Sequence, residues 1–398
     1  MKMRMALLVA SAAFGMAEPV LAIPAFARRY EVACHFCHEG YPKLNAMGQR
    51  FKERGLRMED EADFDAAAWL RSVPVSIRPS ANRFFIEDGD ASTSGFVKGI
   101  AAGSLGPRVS FWVDDGVLIT EGDDNFTHTK PDNAWARIEV VTAGKLYLKG
   151  GRFELDLPFT QSRTPHLFSY DIYFANTGFE SDSIGFFQDG IEVGGALPGD
   201  ARWSAAVVKG HNREEAESLS GDAGKFDANL FLRASKRVLR HRIGAFAYIG
   251  RNTLATTLPP VVGTGPVRVV TWDDDILRLG LDASVWVQHL NLYGVYMYGR
   301  NSNSVADRTR PGGTGESLSF NGGFLQADLH VREWIALTGR LNVVSQPVGT
   351  SNGSKETLSS IFPGVQIWAT ERLKLSFEYG FHNKDRKNFG SVQAELIL

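Results

Sequence analysis

The sequence predicts a mainly β fold, a transmembrane antiparallel β-barrel of about sixteen strands that follows a small N-terminal α-helical cap or plug. Three observations support this prediction. The first residues have the pattern of an export signal, a short segment with helical periodicity follows, and the rest of the chain alternates between apolar and polar residues. The 398 residues have a formal net charge of -2 and no basic stripe, so we expect no nucleic-acid partner.

The N-terminus has the parts of a secretory signal peptide. Basic residues come first, an apolar stretch of small residues follows over 5–16, and Ala22 ends a small-residue cleavage site. The apolar core is shorter than the ~18 residues that a transmembrane helix needs. We therefore predict a signal peptide over 1–22, with the mature chain beginning at Ile23 or after Ala27.

Both cysteines of the chain lie in Cys34-His35-Phe36-Cys37-His38. Two thiols at this spacing can add to the two vinyl groups of one haem, and the adjoining histidine can then bind the iron. A thioredoxin-like pair would need a surrounding βαβ pattern, and a zinc site would need further ligands nearby. The sequence offers neither, so we predict one covalent haem c on Cys34 and Cys37, with His38 as the proximal iron ligand.

The sixth ligand of the iron stays open at this stage. Met58 and Met47 are candidates close in sequence, because a thioether is one of the usual axial ligands. Met47 also lies at a helical spacing from neighbouring apolar residues, which favours a packing role over ligation. His35, His166 or another barrel histidine would give bis-histidine ligation, and an iron with an open position is the remaining alternative.

Residues 23–72 are predicted to form a small helical cytochrome c domain. Apolar residues recur at helical spacing from residue 44 to 51, Gly55 ends that helix, and a second short helix is predicted over 62–71. A domain of about 50 residues usually needs a covalent cross-link or a bound metal to be stable. The haem would provide that cross-link.

Period-two alternation predicts a porin-like outer-membrane barrel over 73–398. In residues 373–382 the odd positions are apolar or aromatic, and the even positions are polar, charged or glycine. The same alternation recurs in 277–285, 325–331 and 335–343. About sixteen such segments leave roughly 20 residues for each strand and its loop, as expected of such a barrel. We expect the charged residues to face inward and the apolar residues to face lipid.

A large soluble β-sandwich or a lipocalin-like barrel would also alternate. The strand count exceeds that of a small closed barrel, and Trp and Tyr lie toward the predicted strand ends, as they do at membrane interfaces. We therefore predict a location in the bacterial outer membrane, in contact with its lipid. The last predicted strand, residues 391–398, departs from the common pattern because it ends in Leu398 rather than in an aromatic residue.

The segments 23–30, 34–38 and 41–52 resemble a known family. They are similar to the fused monohaem cytochrome–porins, the outer-membrane iron oxidases of iron-oxidising bacteria. This family has a small cytochrome plug followed by a sixteen-stranded barrel, and the chain has the same order throughout its mature length. The resemblance implies covalent haem at Cys34 and Cys37, iron ligation by His38, and electron transfer across the outer membrane.

The function that the resemblance implies is transfer of electrons from extracellular Fe(II) to a periplasmic carrier such as a soluble c-type cytochrome. The enzymatic class stays open between an iron(II):cytochrome oxidoreductase and a simple electron-transfer protein. Two alternatives remain, an outward conduit to extracellular acceptors and a diffusion porin with a haem-bearing plug. A hydrolase is disfavoured because no Ser/His/Asp arrangement has motif support.

Overall fold

A computed structural model of the protein describes thirteen stretches of the chain. The signal peptide predicted over 1–22 and the second helix predicted over 62–71 lie outside them. The described residues are 25–58, 75–87, 89, 91–120, 131–141, 144–159, 166–175, 183–209, 228–258, 268–302, 317–347, 355–383 and 387–398.

Sixteen strands form a closed antiparallel barrel, which confirms the predicted fold class. Each strand pairs with the next along the chain, and the last strand pairs with the first. Closure leaves no unpaired sheet edge, as a strand surrounded by lipid requires. The barrel strands are β3 (Val75–Ile86), β4 (Ser92–Leu105), β5 (Val109–Thr120), β6 (Asn133–Val141), β7 (Leu146–Glu154), β8 (Phe187–Leu197), β9 (Ala201–Val208), β10 (Asn229–Val238), β11 (His241–Leu258), β12 (Arg268–Val287), β13 (Leu290–Asn301), β14 (Leu318–Arg332), β15 (Ile335–Pro347), β16 (Lys355–Trp368), β17 (Leu373–His382) and β18 (Phe389–Leu396).

The two faces of the strands confirm the predicted alternation. In β17 the side chains of Lys374 and Glu378 are buried inside the barrel, whereas Leu375, Phe377 and Phe381 are exposed on its outer wall. The other strands with the predicted alternation behave in the same way, with buried Arg278, Asp328 and Arg340 and exposed Leu279, Leu329 and Leu341. An apolar outer wall around a closed barrel is the arrangement that lipid requires. The protein is therefore an outer-membrane β-barrel.

The two ends of the barrel differ in their connections. At one end, hairpins such as β10–β11 and β12–β13 are closed by two residues each, whereas residues 155–186 connect β7 to β8 at the other end. We call the first the short-turn end. In bacterial outer-membrane barrels the short turns face the periplasm and the longer loops face outward. The chain enters β3 and leaves β18 at the short-turn end.

The connection between β7 and β8 folds into the barrel, which the sequence analysis did not anticipate. Its described part contains a short helix, α3 (Asp171–Phe174), and several fully buried apolar residues. Tyr170 stacks on Phe324 of β14 with ring centroids 4.1 Å apart, and Tyr173 packs edge-on against the same ring. We expected a polar lumen, but one side of it is an apolar cluster because this loop brings its own apolar side chains inside.

Residues 25–58, which we call the cap, also lie inside the barrel, at the short-turn end. They form α1 (Ala25–Tyr30), a 3₁₀ turn (Cys34–Phe36), the short strand pair β1 (His38–Gly40) and β2 (Lys43–Leu44), and α2 (Ala46–Glu53). The cap has a small apolar core of Phe51 and Leu56, which is completed by Ala102 of the barrel wall. Among the described residues, no helix is both long and apolar enough to cross a bilayer.

Candidate functional site

The Cys34–His38 segment forms a compact loop at the start of the cap. Cys37 N–H donates to the carbonyl of Cys34, which closes the 3₁₀ turn between the two cysteines. Both cysteines are free thiols and half-buried, and His38 follows at the start of β1. The two cysteines thus flank one turn of the chain, and His38 follows it directly.

Asn45 holds this loop against helix α2. Its side-chain oxygen accepts from Gly48 N–H at 2.9 Å and caps the helix, while its amide nitrogen donates to the carbonyls of His35 and Phe36 at 3.1 and 3.0 Å. Its backbone N–H donates to the carbonyl of Cys37 at 2.9 Å. One side chain therefore fixes both the start of the helix and the loop that carries the two thiols.

Helix α2 approaches the loop closely because position 48 is glycine. A Cβ atom at Gly48 would collide with the carbonyl oxygen of Cys37 and touch the side chain of Leu44. No flexible side chain separates the helix from the backbone of the loop. The glycine therefore sets the distance between α2 and the cysteine motif.

The imidazole of His38 is suited to binding a metal. It is half-buried, and its Nδ1 atom is buried beside the backbone of Pro42 and Lys43 without a well-formed hydrogen bond to the described residues. Desolvation lowers the pKa of His38 to about 4, against a smaller opposing effect of that nearby backbone. The imidazole is therefore neutral near pH 7, and a neutral imidazole is the form that ligates iron.

The two thiols do not have the properties of a reactive redox pair. Burial raises the pKa of Cys34, and the negative charge of Glu371 raises it further. Burial also raises the pKa of Cys37, with a smaller contribution from Cys34. Cysteines that exchange disulfides have lowered pKa values in electropositive surroundings. The opposite shift here disfavours the thioredoxin-like alternative.

Polar contacts fix the cap to the barrel wall on several sides. Lys43 Nζ lies 2.6 Å from Asp328 Oδ2 of β14 and donates to Asn291 Oδ1 of β13 at 2.8 Å. On the other side, Arg78 Nη1 of β3 donates to the hydroxyl of Tyr41 at 3.3 Å. These strands are far apart around the barrel, so the cysteine motif is held within the lumen rather than beside it.

A cavity of about 460 Å³ opens beside the motif and lies between the cap and the barrel wall. Cys34, Cys37 and His38 all border it. Its volume is within the ~300–1,000 Å³ that is common for small-molecule and cofactor sites. Two free thiols and a neutral imidazole around one such space form a set that could hold a covalently attached haem.

The two methionines proposed as sixth ligands occupy different places. Met58 borders the cavity and packs against the cluster of Phe51 and Leu56. Met47 is half-buried on α2 and is not among the residues that border the cavity. The structure thus brings Met58, but not Met47, to the space that His38 faces.

The histidines proposed as alternatives have other surroundings. His35 is exposed on the 3₁₀ turn. The side chain of His166 is 1% exposed, and its Nδ1 and Nε2 atoms lie 3.0 Å from Glu378 and 3.4 Å from Asp328. His166 is not among the residues that border the cavity. Its two nitrogens face carboxylates, which gives it a structural role between the inward loop and the wall.

The residues that hold the cysteine motif in place through hydrogen bonds and ion pairs were not predicted from the sequence. An Asn directly before a helical stretch is a known N-cap signal, so Asn45 could have been found. Asp328 was predicted to face inward, but its partner Lys43 lies 285 positions away and no local pattern connects them. The inward position of residues 166–175 has no sequence signal that we recognise.

Comparisons with known proteins support the barrel fold. No family model matches the sequence, and no curated protein matches it. Solved outer-membrane proteins share the fold: OmpT of Vibrio cholerae with loop L8 deleted (12% identity, TM-score 0.54), OmpF of Salmonella typhi in complex with daunomycin (10%, 0.57) and an anion-selective porin from Comamonas acidovorans (12%, 0.56). Each alignment covers 81% of this chain and 97 or 98% of the other.

Proposed function

We propose that the protein is an outer-membrane cytochrome–porin that conducts electrons across the membrane through one covalent haem c. The observation that carries this proposal is the position of the Cys34–His38 loop. It lies inside the lumen of a membrane-spanning barrel and borders a cavity of about 460 Å³. A cofactor held there would stand between the extracellular loops and the periplasm.

The residues around the cavity fit a haem attached by thioethers. Cys34 and Cys37 are free, and His38 is neutral near pH 7. A metal-ligating histidine usually donates its second ring N–H to a carbonyl, carboxylate or water, and the buried Nδ1 of His38 lies beside the backbone of Pro42 and Lys43. When bound, haem c supplies a one-electron couple between ferric and ferrous iron.

The protein's own residues would bind, orient and shield this group. Cys34 and Cys37 would anchor it, His38 would ligate the iron, and Asn45 keeps their loop in place through hydrogen bonds. Met58 is the better placed of the two methionines for the sixth position, because it borders the cavity. The cap and the inward loop limit the access of water from the two ends of the lumen.

The resemblance of the N-terminal segment favours inward flow of electrons, although the motif itself does not determine the direction. We propose Fe(II) as the extracellular donor and a periplasmic electron carrier, such as a soluble c-type cytochrome, as the acceptor. The motif lies at the short-turn end, which is the periplasmic end of bacterial barrels. This position favours close contact with a periplasmic partner.

The experiment combines a redox titration of the purified protein with stopped-flow mixing. We expect excess Fe(II) to reduce the ferric haem at the pH of the organism's habitat, and a periplasmic cytochrome to reoxidise it. A haem that stays ferric in Fe(II) but is reduced by a periplasmic donor would reverse the direction and indicate an outward conduit.

A diffusion porin with a haem-bearing plug is the second candidate, because the fold is that of solved porins. Two parts of this chain oppose it. The cap is fixed inside the lumen by the Lys43–Asp328 pair, and the inward loop is fixed by Arg340, whose Nη1 donates to the carbonyl of Phe168 at 2.8 Å. We expect liposomes containing the protein to resist swelling in small sugars. Rapid swelling would favour the diffusion porin.

A further inference from the structure

One wall of the cavity carries a dense group of arginines. They come from the consecutive strands β9, β10 and β11 and from the turn between the last two, and all of them border the cavity. We call this group the arginine wall: Arg202, Arg233, Arg237, Arg240 and Arg242.

Three members of the arginine wall are paired with carboxylates. Arg202 and Arg237 lie 3.5 and 3.3 Å from the carboxylate of Glu53, at the end of α2. Arg233 lies 3.0 Å from Asp282 and 3.9 Å from Asp156. These ion pairs involve three of the five arginines, which leaves two members of the wall without an ion pair.

Arg240 and Arg242 are the two without an ion pair, although the charge of Arg240 also acts on the carboxylate of Glu39. Arg242 donates to the carbonyl of Pro158 at 2.8 Å and lies over the ring of Phe159, and Arg240 lies over the ring of Trp286. Within the described part of the chain, no carboxylate lies within 4.0 Å of either guanidinium. Arginine binds carboxylates through its planar fork of donors, so two such groups on a cavity wall are suited to an anion.

The strands that carry the arginine wall lie on a different side of the lumen from Cys34. Cys34 Sγ contacts the carbonyl of Glu371 in the turn between β16 and β17. In the closed barrel, four strands (β12–β15) separate this turn from β11 on one side, and seven (β18 and β3–β8) separate it from β9 on the other. Cys34 and strands β9 and β10 are therefore on different sides of the same cavity, whereas Arg240 lies nearer the cap, over the ring of Trp286 that Lys43 Nζ also faces.

Helix α2 gives the scale of this separation. Its first turn is bound to the cysteine loop through Asn45, and its last residue, Glu53, reaches Arg202 and Arg237. Eight residues at 1.5 Å each make the helix about 12 Å long. A haem attached through its vinyl groups at one edge directs its two propionates to the opposite edge, over a span of this order.

We propose that the arginine wall is the propionate site of the covalent haem, with Arg240 and Arg242 neutralising the two propionate carboxylates. The two unpaired guanidinium groups match the two negative charges of the group. This inference rests on the proposed function, because it needs haem on Cys34 and Cys37. It adds the orientation of the haem plane, which extends from the motif toward β10 and β11.

The test compares Arg242→Gln, Arg242→Lys and Arg240→Gln in the haem-loaded protein. Peroxidase staining after a denaturing gel should show covalent haem in each variant, since the thioethers do not depend on the wall. Loss of a cation beside the propionates destabilises the electron-rich ferrous state. We expect the ratio of ferrous to ferric haem at a fixed potential to fall about tenfold in each glutamine variant, which is ~59 mV for a one-electron couple.

Further readouts separate this charge effect from a general disturbance. Arg242→Lys keeps the charge and should stay near the wild-type potential, and Arg251→Gln, nine residues further along β11, should not change it. The loss in the glutamine variants should be larger above the pH at which a propionate takes up a proton than below it. Arg240 is exposed at a turn, so its variant tests the proposal even if Arg242→Gln does not fold.

Two results would overturn the proposal while leaving the proposed function intact. One is covalent staining together with a wild-type potential in Arg240→Gln and Arg242→Gln at every pH. The other is a wild-type potential that shifts with inorganic phosphate at constant ionic strength, because the wall would then be open to a free anion. A wild-type protein without covalent stain would instead overturn the proposed function itself.

Discussion

Lys43 of the cap and Asp328 of strand β14 form a buried ion pair, with Nζ and Oδ2 2.6 Å apart and side-chain exposures of 14% and 2%. Tyr293 donates its hydroxyl to the same carboxylate at 3.0 Å, and His166 of the inward loop lies 3.4 Å from its other oxygen. Asp328 therefore joins the cap, the barrel wall and the inward loop. Because Lys43 lies five residues after His38, this ion pair also holds the cysteine motif against the barrel wall.

We predict that Lys43→Met releases the cap while leaving the barrel intact. Removing one partner of a buried ion pair leaves an uncompensated charge and costs about 3–5 kcal/mol. Limited proteolysis of unheated protein should cut the cap at least ~100-fold faster than in the wild type, while the barrel keeps its heat-modifiable migration. Arg251→Gln is the matched control, because its pair with Asp275 is exposed and worth at most about 1 kcal/mol. Equal cleavage in the two variants would contradict the prediction.

We predict that Gly48→Ala disturbs the cysteine motif. The added methyl group would collide with the carbonyl of Cys37, so α2 and the loop must move apart. The yield of covalent haem, measured by peroxidase staining per unit of protein, should fall severalfold. Gly339→Ala in β15 is the control, since a Cβ there meets nothing within 4 Å. Full haem attachment in Gly48→Ala would show that the close approach is not needed.

We predict that Cys34→Ala combined with Cys37→Ala abolishes haem staining on a denaturing gel. Thioether bonds survive denaturation, whereas a haem held only by iron ligation is lost. The variant barrel should still assemble, because these side chains make few contacts with the wall. Stain retained in the double variant would contradict covalent attachment.

We predict that His38→Ala keeps its stain but loses rapid reduction by Fe(II). The proximal ligand sets the potential and spin state of the iron, whereas the thioethers depend on the two cysteines. Stopped-flow absorbance after mixing with Fe(II) measures the rate. His35→Ala is the matched control, because His35 is exposed, and it should reduce at the wild-type rate. Rapid reduction of His38→Ala would remove His38 from the proposed site.

We predict opposite pH effects of His38 and Glu39 on cap docking in the haem-free protein. Burial lowers the pKa of His38 from 6.5 to about 4. The favourable free energy that the neutral imidazole contributes to docking is therefore complete above pH 6.5 and is lost as the pH falls toward 4. Burial raises the pKa of Glu39 from 4.5 to about 7, so its burial disfavours docking increasingly as the pH rises from 4.5 to 7.

The two effects should nearly cancel in the wild type between pH 4.5 and 6.5. Glu39→Gln should make docking weaker toward acid, and His38→Gln should make it stronger toward acid. The urea midpoint of cap release, followed by tryptophan fluorescence, measures both slopes. Slopes of the same sign in the two variants would contradict the assignment.

Much of the barrel could be predicted from local pattern. The alternation in residues 373–382 correctly placed Lys374 and Glu378 inside and Leu375 and Phe377 outside. A strand has a side-chain period of two, so one apolar face fixes the orientation of every residue along it. The strand count followed from the same pattern and the chain length. The spacing of Cys34, Cys37 and His38 is also local, and the prediction of a covalent haem depends on it alone.

Only the tertiary structure decided which inward residues meet. Lys43 and Asp328 are 285 positions apart, and Arg242 and the cysteine motif border one cavity only because the barrel closes into a ring. Likewise, the placement of Met58 at the cavity, and of Met47 away from it, depends on how the cap packs in the lumen. The sequence by itself determined the two faces of each strand and the spacing of the two cysteines and His38. Contacts across a lumen depend instead on register, closure and loop course, which no local pattern encodes.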